Sequence, residues 1–156
     1  MTFVERLAPQ LVAVGPGWRT FPATVEGLVD LLVAGGALAA RSRGAAVRAV
    51  AAREASSSTA LLEIGVGVPH ARLDEVQQET VALAVDRDGL YEAVPTVPIH
   101  IVALVLSPPA AADEHLRILA SIATRLRSST LRAALLDAPD PAAAFATLSD
   151  HARAGW

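Results

Sequence analysis

The stretch Val97 to Leu106 (Val-Pro-Ile-His-Ile-Val-Ala-Leu-Val-Leu) is nearly continuous in apolar, largely β-branched residues and is closed by Pro108-Pro109. Such a run lacks the alternation of a strand with one wet face, so it predicts a central strand buried on both sides. A sheet covered on both faces needs helices on both faces, and the surrounding chain supplies them. Thr24 is placed to cap a helix carrying Val25, Leu28, Val29, Leu31 and Leu32, stopped by Gly35-Gly36. A second helix is expected from about Gly44 to Glu54 with Val47 and Val50 inward, ended by the polar break Ser56-Ser57-Ser58-Thr59. A long helix is expected from Asp113 to Leu126, with shorter ones over Leu131–Leu136 and Pro141–Leu148. Further strands are expected at Leu11–Val14, Leu61–Val68 and Thr80–Val85, the last closed by the turn Asp86-Arg87-Asp88-Gly89. Helices before, between and after strands predict a three-layer α/β/α sandwich with a mixed central sheet. Residues 1–150 are read as a single domain and residues 151–156 as a flexible C-terminal tail.

Bulk properties narrow the function. The 156 residues contain no cysteine, which excludes disulfides, thiolate metal sites and cysteine nucleophiles and fits a reducing compartment. A net charge of -3 argues against nucleic-acid binding. The 53% hydrophobic fraction is largely alanine, and the longest apolar stretch, Leu31 to Ala40, is far short of the roughly 20 residues of a spanning helix. Glu5 precedes any basic region, unlike a signal peptide, so a cytoplasmic protein without membrane insertion is expected.

The chemistry concentrates in Gly65-Val66-Gly67-Val68-Pro69-His70-Ala71-Arg72. Proline fixes its own φ and biases Val68 to an extended backbone, so the imidazole of His70 is aimed in one direction. The glycines leave room for another group to approach closely. Arg72 lies two residues on, on the same side of an extended chain, and a guanidinium matches phosphate oxygens bidentately. His115 opens the long helix, in a stripe with Leu119, Ile122 and Leu126, where free N–H groups favour anions; spacing alone slightly favours a purely core histidine. His100, within the apolar run, is expected to be a satisfied buried imidazole, and His151 a solvated one. No histidine or carboxylate spacing supports a metal site. No Gly-x-Ser-x-Gly elbow or lysine-bearing nucleotide loop is present.

Taken together, Arg53-Glu54, Ser58-Thr59, Gly65-Val66-Gly67-Val68-Pro69-His70-Ala71-Arg72 and Glu114-His115-Leu116 resemble the enzyme IIA domain of fructose/mannitol type in the phosphoenolpyruvate-dependent sugar phosphotransferase system, whose nitrogen-regulatory branch shares the pattern. One departure is the segment Ala60-Leu61-Leu62-Glu63-Ile64, where the family carries a glycine-rich stretch; Leu90–Thr96 also matches poorly. The resemblance implies that His70 takes a phosphoryl group from the phosphocarrier HPr and passes it to an enzyme IIB partner. It implies that His115 is the second active-site histidine and that Arg53 clamps the phosphate or the transition state. Thr59 and Arg72 are expected to bind phosphate, and neither cofactor nor metal is implied. The alternative is a regulatory module in which the phosphorylation state of His70 controls binding to a kinase, transporter or transcription regulator.

Overall fold

A computed structural model describes residues 2–93 and 96–154. The chain opens with two short 3-10 turns, Phe3–Arg6 and Pro9–Leu11, before strand β1 (Val12–Val14). Helix α1 (Phe21–Ala34) begins at Thr20, whose hydroxyl oxygen accepts from the Ala23 N–H at 3.1 Å, with Pro22 in the first turn. Thr24, expected to be the cap, lies inside the helix instead. Pro22 fits the first turn because the missing N–H would be unpaired there. The buried Thr24 hydroxyl is held between the carbonyls of Thr20 (2.8 Å) and Leu90 (3.1 Å). Gly35 caps the C-terminus as expected. Helix α2 (Arg43–Ser56) buries Ala46 and Val50, four residues apart, while Val47 is only half-buried.

The strand expected over Leu61–Val68 is broken in two. Strand β2 (Ala60–Leu61) and strand β3 (Val66–Gly67) pair antiparallel around a 3-10 turn at Leu62–Ile64. Gly65 closes that turn with φ of 66°, a left-handed value that a side chain would strain. Its carbonyl accepts from both His100 N (2.9 Å) and Ile101 N (3.3 Å). Strand β4 (His70–Arg72) follows Pro69, and strand β5 (Thr80–Val85) is fully buried over the span expected. The run Val97–Leu106 is also divided. After β6 (Tyr91–Ala93), β7 (Val97–Ile99) pairs with β6 in a separate two-stranded sheet; β8 (Ile101–Ser107) forms the centre of the main one. His100 is the bend between them. Its Nδ1 donates to the Asp86 carbonyl at 3.1 Å, so the ring is satisfied as expected, though half-buried because the chain turns there. Every residue of β8 is buried, as its composition requires.

The main sheet runs β1-β5-β8-β3-β2, with β4 also beside β8. β5 is antiparallel to β8, whereas β3 and β4 run parallel along its other edge, Gly67 opposite Val102 and His70 opposite Val105. Pro69 interrupts that edge because it has no N–H, yet its carbonyl still accepts from Val105 N at 3.0 Å. α1 and α2 pack on each other and on β5 and β4. The second helical layer consists of α3 (Ala112–Leu126), α4 (Ser129–Asp137) and α5 (Pro141–Arg153), in contact with β8 and β1. Ser128 and Asp140 cap α4 and α5, accepting from Leu131 N and Ala143 N. The three-layer sandwich and mixed sheet are as expected. Helix α5, however, runs to Arg153, through part of the stretch read as a tail. His151 is a half-buried residue of that helix rather than a solvated one, and burial lowers its pKa, helped by Arg125.

Candidate functional site

The parallel pairing of β4 with β8 sets His70, Arg72 and Ser107 at one end of the sheet, Arg72 directly opposite Ser107. From there the chain passes Pro108-Pro109 and enters α3, whose first turn carries His115. The two imidazoles meet with ring centroids 5.3 Å apart and planes at 59°. Neither distance nor angle follows from helix or strand spacing; both follow from the β8–α3 connection.

His70 is half-buried, and its Nδ1 lies 2.8 Å from the carbonyl oxygen of Val68. A carbonyl only accepts, so Nδ1 carries the hydrogen, and in the neutral ring the free lone pair belongs to Nε2. Val68 can turn its carbonyl back to its own i+2 side chain because Pro69 holds the intervening φ. The aim that proline was expected to give the imidazole is therefore delivered through a hydrogen bond to the residue before it.

His115 is only 4% exposed, and its Nδ1 lies 2.6 Å from the buried Ser107 hydroxyl. Its pKa is lowered to about 4, first by burial, then by the proximity of His70, Arg72 and Arg53. The second imidazole is thus neutral at physiological pH. Its buried stripe along α3 is His115, Ile118, Ile122 and Leu126; the expected Leu119 is half-buried, since the helix face drifts by one position over the first turn. The ring of His115 closes the core and also lies beside that of His70.

Two guanidinium groups complete the constellation. Arg53, in the last turn of α2, donates from Nη1 to the Ser57 carbonyl at 3.1 Å. Arg72 donates from Nη1 to the Pro109 carbonyl at 3.3 Å. Among the described residues each is held at the surface by one backbone carbonyl, which leaves the rest of each fork for an anion. Thr59 is placed differently from expectation. Its N–H and its hydroxyl both donate to Glu54, at 3.1 and 2.6 Å, so its donors serve to tie the chain after α2 back to the helix.

Sequence reasoning missed Ser107, Glu54 and the Val68 carbonyl. Glu54 stood in the motif beside Arg53, five residues before Thr59. Ser107 is the polar end of an otherwise apolar strand, a signal that gained meaning only with the β4–β8 register. The glycines were expected to admit a close neighbour, and at Gly67 that neighbour is Tyr91: a Cβ there would lie 2.2 Å from its hydroxyl oxygen. Among the described residues no group of three or more His, Cys, Asp or Glu side chains could hold a metal ion. Chemically, the site brings together one imidazole whose Nε2 lone pair is free, one buried neutral imidazole and two exposed guanidinium groups. That set suits a phosphoryl group, whose transfer demands positioning and neutralisation of charge on its oxygens.

A relative in Haloferax volcanii, a fructose-specific enzyme IIA component of the phosphotransferase system, is 34% identical over 120 residues, covering 75% of this chain and 77% of its own. The crystal structure of the nitrogen regulatory protein IIA-Ntr from Neisseria meningitidis superposes with a TM-score of 0.80 at 24% identity, covering 93% of this chain and 97% of that one. The IIA mannitol enzyme of Escherichia coli, solved in complex with phosphorylated enzyme IIB, superposes with a TM-score of 0.75 at 17% identity over 96% and 99% of the two chains. At those identities the two structures speak for the fold. The family described as phosphoenolpyruvate-dependent sugar phosphotransferase system, EIIA 2, matches residues 7–151. The chain therefore belongs to the type-2 enzyme IIA family of the phosphoenolpyruvate-dependent sugar phosphotransferase system.

Proposed function

We propose that the protein is a cytoplasmic phosphoryl carrier that takes a phosphoryl group from phosphorylated HPr onto Nε2 of His70 and hands it to an enzyme IIB partner. The observation that carries this reading is the bond from His70 Nδ1 to the Val68 carbonyl, which leaves Nε2 as the nucleophile on a ring that neighbours His115, itself under the influence of Arg72 and Arg53. In the loading step the Nε2 lone pair forms the N–P bond as the bond from phosphorus to the donor breaks. Positive charge that develops on the ring is shared with the Val68 carbonyl through Nδ1–H. The two guanidinium groups and His115 take up the charge on the phosphoryl oxygens. Onward transfer reverses these steps with the acceptor as nucleophile.

Access by protein partners is supported by the surface. Leu116, next to His115, is 61% exposed, and Leu62, on the turn before β3, is 43% exposed; they are the large apolar side chains left open among the described residues. No helix among the described residues is long and apolar enough to cross a membrane. A fructose-specific EIIABC component of Bacillus subtilis, 30% identical over 128 residues, supports the acceptor. A nitrogen regulatory protein of Pseudomonas aeruginosa, 33% identical over 100 residues, supports a second reading, in which the phosphorylation state of His70 is itself the signal. Incubation with phosphoenolpyruvate, enzyme I and HPr is expected to add one acid-labile phosphate, absent from His70→Ala. A label retained by that variant overturns the assignment. Onward transfer to a fructose-type enzyme IIB separates the relay from the regulator.

A further inference from the structure

We propose that Ser107 is a positioning residue that fixes the tautomer of His115, so that a neutral imidazole presents its Nε2–H to the phosphoryl group on His70. The inference rests on the carrier reading of His70 and concerns a side chain that this reading leaves without a role.

Ser107 is fully buried at the C-terminal end of β8, and its Oγ lies 2.6 Å from His115 Nδ1. That nitrogen is its one side-chain hydrogen-bond partner among the described residues. Two arrangements fit this distance. If Nδ1–H donated to Oγ, the hydroxyl hydrogen would be left in a closed environment with nothing to accept it. If the hydroxyl donates to Nδ1, every hydrogen of the pair is used, and only lone pairs on Oγ remain spare. A buried donor without an acceptor is the costlier outcome, so the hydroxyl donates. Nδ1 is then an acceptor, and the single proton of the neutral ring must sit on Nε2.

The geometry gives this choice a consequence. The rings of His115 and His70 lie 5.3 Å apart between centroids, and Nδ1 of His115 is occupied by Ser107, so Nε2 is the nitrogen left for a group bound there. Protonating the ring would demand that Nδ1 donate, and so would orphan the Ser107 hydrogen. The cationic and titratable groups around the ring act in the same direction: His70 and Arg72 come from β4 and Arg53 from α2. Ser107 thereby holds His115 as a hydrogen-bond donor that carries no charge of its own. Such a group steadies the phosphoryl oxygens without making the phosphate too stable to leave. The arginines supply the charge and Ser107 the direction of the dipole.

The test uses the full chain labelled with ¹⁵N. Long-range ¹H–¹⁵N correlation spectra of the unphosphorylated protein near neutral pH are expected to show His115 with an unprotonated Nδ1 and a protonated Nε2. In Ser107→Ala that pattern is expected to be lost, whereas Ser107→Thr, which keeps the hydroxyl, retains it. Phosphoryl transfer from phosphorylated HPr to His70 is expected to fall about five- to twentyfold in Ser107→Ala, with KM for the donor unchanged, and to recover in Ser107→Thr. A wild-type His115 protonated on Nδ1 overturns the proposal, as does Ser107→Ala with unaltered tautomer and rate. Failure of phosphorylated HPr to label the wild type overturns the carrier reading and the functional half of the proposal, while the spectrum still decides the tautomer.

Discussion

Replacing Gly67 by alanine tests how the strand that leads to His70 is seated. A Cβ at position 67 would lie 2.2 Å from the Tyr91 hydroxyl oxygen, 3.3 Å from Tyr91 Cζ and 3.5 Å from Ile99 Cγ2. The first contact is far inside van der Waals distance, and Tyr91 has little freedom to retreat. Its ring is buried and stands edge-on to Phe21 at 5.1 Å. Overpacking of this kind costs about 1–3 kcal/mol. Among the described residues the buried Tyr91 hydroxyl has no hydrogen-bond partner, and its pKa is raised by burial and by nearby Glu54. Removing an unpaired buried hydroxyl is close to neutral, so Tyr91→Phe alone should change stability by less than about 1 kcal/mol. In the double variant the worst contact disappears and the approaches of 3.3 Å to Cζ and 3.5 Å to Ile99 Cγ2 remain, so most of the loss should return. Urea unfolding of the wild type, both single variants and the double variant gives the coupling, expected to be about 1–2 kcal/mol. An equal cost of Gly67→Ala in the wild type and in the Tyr91→Phe background would refute the close-approach account of this glycine.

Two further outcomes are expected. His115 has a folded pKa of about 4 against the 6.5 of a free imidazole, so between these values the unfolded chain binds a proton that the folded one refuses. Its contribution to stability is complete above pH 6.5 and is lost as pH falls towards 4, in total about 3 kcal/mol. The difference between wild type and His115→Gln in urea midpoint, followed from neutral pH down towards the folded pKa, should take that course; a difference independent of pH would contradict it. Thr59→Ala should leave the rate of His70 phosphorylation within about twofold, because the donors of Thr59 are already engaged by Glu54, yet it should cost about 1 kcal/mol of stability. A loss of transfer with intact stability would return Thr59 to the phosphate.

What could be read from the sequence was whatever depends on local pattern. β5 was visible over its full span because an apolar run with a turn signal behind it has one reading. The burial of β8 on both faces was visible in its composition. His70 and His115 stood out because each sits at an element boundary, where a side chain is both anchored and reachable. What stayed hidden depends on partners distant in the chain. Thr20 and Thr24 are equally good caps by type, and only the Leu90 carbonyl over the helix explains why Thr24 is inside it. The break at Gly65 comes from a carbonyl shared by His100 and Ile101, a contact across the sheet. Glu54 takes Thr59 away from the site by a bond that spacing permits without requiring. Ser107 shows its role only when β8, β4 and α3 are in place together.

The central claim is that Nε2 of His70 carries the phosphoryl group because Val68 holds Nδ1–H. It is tested most directly by ³¹P and ¹⁵N NMR of the phosphorylated, ¹⁵N-labelled chain. The account predicts phosphorus bonded to Nε2 of His70, with Nδ1 still protonated. Phosphorus on Nδ1 of His70, on His115, or on any other residue would contradict it.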